Sequence, residues 1–123
     1  MILVVEADET MRLVLQMFLE ESGYKVLTAP DGSEALRMFR ESASDIKLVL
    51  CDIMMPNIDG MKLFHQLRAI NMRVRVILGG GVLDRRARAM LKESGAVGFL
   101  DKPYTSEEIL GAVRSALRNP SDP

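Results

Sequence analysis

The chain has 123 residues, of which 48% are hydrophobic and 27% charged, and its formal net charge is -1. This length and balance suit one globular domain with a buried core, and they exclude a wholly disordered or collagen-like chain. The small net charge gives no electrostatic reason to expect a nucleic-acid partner.

The compartment is indicated by the cysteine count and by the length of the apolar runs. A single cysteine cannot form an internal disulfide, so a reducing compartment is expected. The apolar run after Met1 ends at Glu6 and is too short for a signal peptide, and the longer runs are strand-sized. We therefore expect a cytoplasmic protein with no membrane partner.

Short β-branched runs alternate along the chain with segments of helical period, a pattern typical of a parallel sheet covered by helices. The predicted strands are residues 2–6, 25–28, 47–51, 74–79 and 97–100. The pattern predicts an α/β, flavodoxin-like (βα)5 fold, with a doubly wound five-stranded parallel sheet in the order 2-1-3-4-5. Five helical stripes are marked by apolar residues: Met11, Val14, Leu15 and Phe18; Ala35, Met38 and Phe39; Phe64 and Leu67; Ala87, Met90 and Leu91; Ile109, Val113, Ala116 and Leu117.

Turn residues support these boundaries. Gly23 and Gly95 each follow a predicted helix, where a left-handed cap is favoured, and Ser106 begins the last helical stretch. The segment 119–123 contains two prolines and cannot continue a helix. We expect one domain over residues 1–118 and a linker or disordered tail over 119–123.

Functional residues are expected where the predicted strands end. Glu6 lies at the end of the first strand, Asp52 follows the third, Gly80 the fourth and Lys102 the fifth. These positions converge because the carboxyl ends of parallel strands meet at one edge of the sheet. Asp52 emerges from a strand buried on both faces, where a carboxylate needs a partner or a task, and Lys102 offers the opposite charge.

The chain also resembles a known family over residues 1–118. The resemblance rests on Val4-Val5-Glu6, on 31–36 (DGSEAL), on 52–60 (DIMMPNIDG) and on 95–103 (GAVGFLDKP). In these segments the chain is similar to the receiver domain of response regulators and hybrid histidine kinases. The stretch 74–81 (VRVILGGG) is most similar to receivers attached to hybrid histidine kinases.

The resemblance implies a phosphoacceptor domain of two-component signalling rather than an enzyme, with at most slow self-catalysed phosphorylation and dephosphorylation. Asp52 would accept a phosphoryl group from a histidine kinase or histidine phosphotransfer protein, and Lys102, preceding a cis Lys102-Pro103 peptide, would pair with that group. Mg2+ would be bound by Glu6, Asp52 and the backbone carbonyl of Met54.

Three residues depart from the family pattern. The usual adjacent acid pair is Glu6 and Ala7 here, so one metal-binding carboxylate is missing and Mg2+ binding is expected to be weaker. The usual Thr or Ser after the fourth strand is Gly80, which has no hydroxyl. The switch aromatic of the fifth strand is usually Phe or Tyr, and Phe99 fits but cannot donate a hydrogen bond. A hydrogen bond to a charged group contributes about 1.5–3 kcal/mol, so its loss could uncouple phosphorylation from the conformational switch.

The sequence leaves several alternatives open at the predicted site. Asp8 is either a further metal ligand or the N-cap of the first helix, and the glycines at 79–81 either form an anion-binding nest or a simple loop. A phosphorylation-independent pseudo-receiver, acting as a protein-binding module, is the alternative function. A phosphatase with Asp52 as nucleophile is disfavoured, because Met54 occupies the place of its second aspartate.

Other residues have structural explanations as well as functional ones. Cys51 is expected to be a buried small hydrophobe and His65 a helix-surface residue. The basic cluster of Arg85, Arg86 and Arg88 opens the fourth predicted helix, and it is either a solvated face or part of a partner surface. The resemblance implies that this helix, the fifth strand and the fifth helix could also form a homodimer.

Overall fold

The computed structural model describes residues 1–52, 60–80, 86, 89, 92–93, 95–101 and 105–118. The strands are β1 (Ile2–Val5), β2 (Val26–Ala29), β3 (Leu48–Asp52), β4 (Arg75–Gly80) and β5 (Gly98–Asp101). The labelled helices are α1 (Glu9–Glu21), α2 (Gly32–Ser42), α3 (Gly60–Ile70) and α4 (Ser106–Arg118). In the fourth predicted helix, between β4 and β5, the described positions Arg86, Ala89, Lys92 and Glu93 are helical.

All five strands are parallel and form one sheet in the order β2-β1-β3-β4-β5, so the predicted fold is confirmed. Four strands begin and end one residue later than predicted, and β1 ends one residue earlier, at Val5. The shift is small because apolar runs locate a strand, whereas its ends depend on which backbone groups pair with a neighbouring strand. Val97 illustrates this, since its N–H already donates to the Val76 carbonyl (3.0 Å) although β5 begins at Gly98.

Alternation along the buried strands divides the core into two layers. Val49 and Cys51 of β3 face one layer, whereas Leu48 and Leu50 face the other. The first layer is closed by buried side chains of α2 and α3, and the second by those of α1 and α4. The sheet therefore has helices on both faces, which explains why β1 and β3 read as continuous apolar runs.

Caps fix where the helices begin and end. Asp31 accepts a hydrogen bond from the Glu34 N–H (2.8 Å) as the N-cap of α2. Gly23 and Gly95 have φ angles of 95° and 110°, as predicted for left-handed caps. The start of α4 at Ser106 is confirmed; the residue before it, Thr105, forms a reciprocal capping box with Glu108 that the sequence analysis did not identify.

Residues 119–123 lie outside the described part of the chain, so the predicted tail stays a prediction. Within the described residues, we find no helix with the length and hydropathy needed to cross a bilayer.

Candidate functional site

The register of the sheet brings the predicted site residues to one edge. Val5 of β1 pairs with Cys51 of β3, so the next residues along these strands are Glu6 and Asp52. Asp52 pairs in turn with Gly79 of β4. The two carboxylate residues thus lie at the carboxyl ends of adjacent central strands, as the sequence predicted.

The same edge continues to β5. Gly80 pairs with Asp101, the last residue of β5, and Lys102 is the next residue in the sequence. Lys102, Pro103 and Met54 lie outside the described residues, so their predicted roles remain predictions.

Glu6 is buried although it carries a carboxylate. It is 2% exposed, and it is the single buried charged residue among those the structure describes. Its Oε2 accepts a hydrogen bond from the Asp8 N–H (3.1 Å), and its own N–H donates to the Ala29 carbonyl (3.1 Å). A buried carboxylate costs free energy unless it is hydrogen-bonded or paired. These hydrogen bonds hold Glu6 in place, and its negative charge could bind a cation there.

Asp8 has the capping role that the sequence left open. Its Oδ1 accepts from the Met11 N–H (3.0 Å) in the N-cap geometry of α1. The side chain is engaged with its own helix, which explains its position without a metal. A metal-binding role for Asp8 stays a prediction.

Arg12 is a site-region residue that the sequence analysis missed. Its Nη1 donates to the Glu6 carbonyl (2.8 Å) and to the Ala7 carbonyl (3.4 Å), so one guanidinium joins α1 to the loop that carries the buried acid. A basic residue one turn into a helix after a strand-end acid is the signal that could have indicated it. The bonds fix the loop backbone at Glu6 and Ala7.

The ionisation of the Cys51 thiol is affected by the two carboxylates of the site. Burial raises the pKa of its thiol, and the charges of Asp52 and then Glu6 raise that pKa further. The thiol donates to the Asp52 carbonyl (3.3 Å). Cys51 is thus a buried small side chain, as predicted, and both carboxylates are close enough to act on it.

Gly80 combines a buried position with a backbone conformation that favours glycine. It is buried at the end of β4 with a φ angle of 135°, a region that residues with a Cβ rarely adopt. The neighbouring Gly79 is also buried, whereas Gly81 lies outside the described residues. The proposed nest of three glycines therefore stays a prediction.

The remaining residues singled out in the sequence are Phe99, His65 and the basic cluster at 85–88. Phe99 is half-buried and packs against the first core layer, and its role as a switch residue stays a prediction. His65 is exposed on α3, as predicted, and its ring lies 5.4 Å from that of Phe64. Arg86 is exposed, while Arg85 and Arg88 lie outside the described residues.

The donor set fits a magnesium ion held by few protein ligands. Glu6 and Asp52 offer two carboxylates at one edge, and Mg2+ is commonly bound by one or two carboxylates together with waters and phosphoryl oxygens. In the described ranges, no group of three or more Asp, Glu, His or Cys residues could hold a metal ion. Binding of Mg2+ by Glu6 and Asp52 in this chain therefore stays a prediction.

Comparison with known proteins identifies the family. The family model for the response regulator receiver domain matches residues 2–114. The alkaline phosphatase synthesis transcriptional regulatory protein PhoP of Bacillus subtilis is 33% identical over 117 residues, which cover 95% of this chain and 48% of that protein.

Solved structures show the same fold. A response regulator receiver domain protein from Clostridium thermocellum has a TM-score of 0.88 and 31% identity, covering 94% of this chain and 92% of that one. The receiver domain of the hybrid histidine kinase CckA has a TM-score of 0.81 and 33% identity, covering 95% of this chain and 98% of that one. The chain belongs to the response regulator receiver domain family of two-component signalling. It spans about half the length of the curated relatives it matches.

Proposed function

We propose that this receiver domain accepts a phosphoryl group on Asp52 from the phosphohistidine of a histidine kinase or phosphotransfer protein. The observation that carries the proposal is the strand register, which puts Asp52 beside Glu6 at the carboxyl ends of β3 and β1. In the reaction, a carboxylate oxygen of Asp52 attacks phosphorus, the P–N bond to the histidine breaks and an acyl phosphate forms. The domain then signals through a protein partner.

The chain's own groups support this transfer by position and charge. Asp52 is half-buried at the strand end, so part of the residue is accessible from solvent. Arg12 and Asp8 fix the loop that carries Glu6. When bound by Glu6 and Asp52, Mg2+ would neutralise phosphoryl oxygens, and Lys102 would pair with the phosphoryl group.

The test is phosphorylation by a small phosphodonor with saturating Mg2+, followed by intact-mass spectrometry. Wild type should gain one acid-stable, base-labile phosphoryl group, and Asp52→Asn should gain none. Asp45→Asn is the matched control, because Asp45 is an exposed carboxylate in the loop that precedes β3, and it should react like wild type. Failure of wild type to react under these conditions would refute the proposal.

The metal site has its own test, which uses the two positions beside Glu6. Ala7→Asp should tighten Mg2+ binding, because it supplies the carboxylate that the family usually has there. Asp8→Asn keeps the N-cap, since Asn caps as well as Asp, but removes the carboxylate. Mg2+ affinity measured by titration should fall in Asp8→Asn if Asp8 is a ligand and stay unchanged if it is only a cap.

The donor's docking face is suggested by α1. Leu13 and Met17 lie one turn apart and are 52% and 57% exposed, on a helix whose first turn follows the Glu6 loop directly. An apolar pair beside the phosphoacceptor edge suits a helical partner that must bring its histidine to Asp52. Leu13→Glu should slow transfer from a phosphorylated histidine kinase about tenfold while leaving reaction with the small phosphodonor unchanged.

A second candidate function, the phosphorylation-independent protein-binding module, is favoured by Gly80. Thr cannot replace it without strain, because a φ of 135° costs a residue with a Cβ on the order of 1–3 kcal/mol. Gly80→Thr should therefore lower stability rather than restore switching. If wild type is phosphorylated and its amide NMR spectrum changes around β4, β5 and Phe99, the switch is intact; phosphorylation without such changes favours the module.

The homodimer through the fourth predicted helix, β5 and α4 is part of the same proposal. The exposed Arg86 lies on that helix. Sedimentation of the phosphorylated and unphosphorylated protein would test it, and a monomer in both states would contradict it.

A further inference from the structure

A cleft of about 350 Å³ lies at the edge of the sheet opposite to Asp52. It is formed by the loop from α2 to β3 and the loop from α3 to β4. The strands β3 and β4 run from this cleft to the phosphoacceptor edge. Lys47 directly precedes β3 and Asp52 ends it, so the two residues are five positions apart and roughly 16 Å separates the two regions. The described residues that line it include Ser44, Ile46, Lys47, Asn71, Arg73 and Arg75.

The lining of this cleft is cationic. Lys47, Arg73 and Arg75 contribute three positive charges, and none of the lining residues that the structure describes carries a carboxylate. Lys47 and Arg73 are exposed, and neither forms an ion pair with any other residue in the described parts of the chain. Asp45 lies in the same loop but does not line the cleft. Three cations around one concave site attract an anion more strongly than any of them would alone.

The cleft is preformed by hydrogen bonds in both loops, each of which involves a backbone group. The Lys47 ammonium donates to the Ser44 carbonyl (3.0 Å), and the Lys47 N–H donates to the Met1 carbonyl (2.9 Å). In the facing loop, the Arg73 N–H donates to Asn71 Oδ1 (3.0 Å) and the Val74 N–H to the Asn71 carbonyl (3.1 Å). A ligand would meet a site whose main chain is already ordered, which reduces the entropic cost of binding.

The floor and the polar rim indicate the kind of anion. Ile46 and Val74 are buried beneath the cleft, while Ser44 and Asn71 add side chains that can donate hydrogen bonds. Guanidinium groups match phosphoryl oxygens in a two-point geometry, and an ammonium adds a compact point charge. The volume is within the range of small-molecule sites.

We propose that this cleft, lined by Lys47, Arg73 and Arg75, binds a small phosphorylated anion with two or more negative charges. The proposal goes beyond the phosphoacceptor function and does not depend on it, since it uses none of the residues at the Asp52 edge.

The experiment is an amide NMR titration of the whole chain with inorganic diphosphate, in metal-free buffer with a chelator and at constant ionic strength. Removing Mg2+ prevents diphosphate from binding through the metal site. Saturable shifts are expected at residues 43–47 and 71–75. Arg73→Gln and Lys47→Gln should each weaken the affinity about tenfold, the effect of losing one charge-assisted contact.

Arg114→Gln is the matched control, because Arg114 is exposed on α4, does not line the cleft and carries the same charge. It should bind diphosphate like wild type, and the spectra will show that all three variants are folded. The proposal is overturned by the absence of saturable shifts up to 10 mM diphosphate, roughly the weakest affinity that an ordered site would show. It is equally overturned if Arg114→Gln weakens binding as much as Arg73→Gln, or if the shifts centre on Glu6 and Asp52.

Discussion

At the scale of single residues, the candidate site depends on two carboxylates that lie close to the buried core. Glu6 is buried and hydrogen-bonded to the Asp8 N–H, and Asp52 follows a buried thiol on the next strand. Cys51 lies beneath both acids and is kept neutral by burial and by their charges. Burial is the larger cause of this effect, and the charges of Asp52 and Glu6 add to it.

The raised pKa of Cys51 predicts a loss of stability at alkaline pH. In the unfolded chain this thiol ionises above its ordinary pKa of 9.0, whereas in the native state it stays protonated. The contribution of the protonated Cys51 thiol to the free energy of unfolding is thus fully present below pH 9. It decreases as the pH rises further, by up to about 1.4 kcal/mol per pH unit.

Urea unfolding of wild type and Cys51→Ala at pH 8, 9 and 10 measures this effect. The free energy of unfolding should fall more steeply with pH for wild type than for Cys51→Ala, because the variant retains every other titrating group. Equal slopes for the two proteins would show that Cys51 ionises as readily in the native state as in the unfolded chain.

At the scale of helices and loops, two glycines have opposite structural roles. Gly95 ends a helical segment with a φ of 110°, and a Cβ built there would lie 2.7 Å from the Arg68 guanidinium carbon. Gly111 is exposed within α4, and a Cβ there would meet no atom within 4 Å. The first glycine is required by its backbone conformation, because the Arg68 guanidinium ends a flexible side chain and can move away. The second glycine weakens a helix without a packing reason.

Alanine substitution should separate these roles. Gly111→Ala should raise the free energy of unfolding by about 0.5–1 kcal/mol, since alanine restricts the unfolded chain and favours helix. Gly95→Ala should lower it by about 1–2 kcal/mol, because alanine rarely adopts the positive φ found there. Urea denaturation of both variants is the measurement, and a stabilised Gly95→Ala protein would contradict the structure at that turn.

At the scale of the whole molecule, the sheet separates two apolar layers. Ile46 belongs to the layer covered by α2 and α3, and Ile109 to the layer covered by α1 and α4. Each side chain is almost completely buried. Changes on opposite faces share no partner side chains, so their energetic effects should be independent.

A double-mutant cycle tests this division. Ile46→Val and Ile109→Val should each lower the free energy of unfolding by about 0.5–1.5 kcal/mol. The double variant should lose the sum of the two effects to within about 0.5 kcal/mol, as distant sites do. A larger coupling, measured by urea unfolding of all four proteins, would mean that the two layers do not respond separately.

The sequence determined the fold class and the positions of the strands, because apolar alternation and strand length follow from local chemistry. It also located Asp52, Glu6 and Gly80 at strand ends, and the family motif indicated the same residues. It could not assign Asp8 to capping, since that depends on where the Met11 N–H points after the loop turns.

Tertiary structure decided the features that need two distant segments to meet. The Arg12 contacts with the β1–α1 loop, the φ angle of Gly80 and the cationic cleft between two loops of the opposite edge are of this kind. Sequence patterns report the periodicity of one segment at a time, whereas these features depend on the register between strands and on loop backbones that only the assembled sheet fixes.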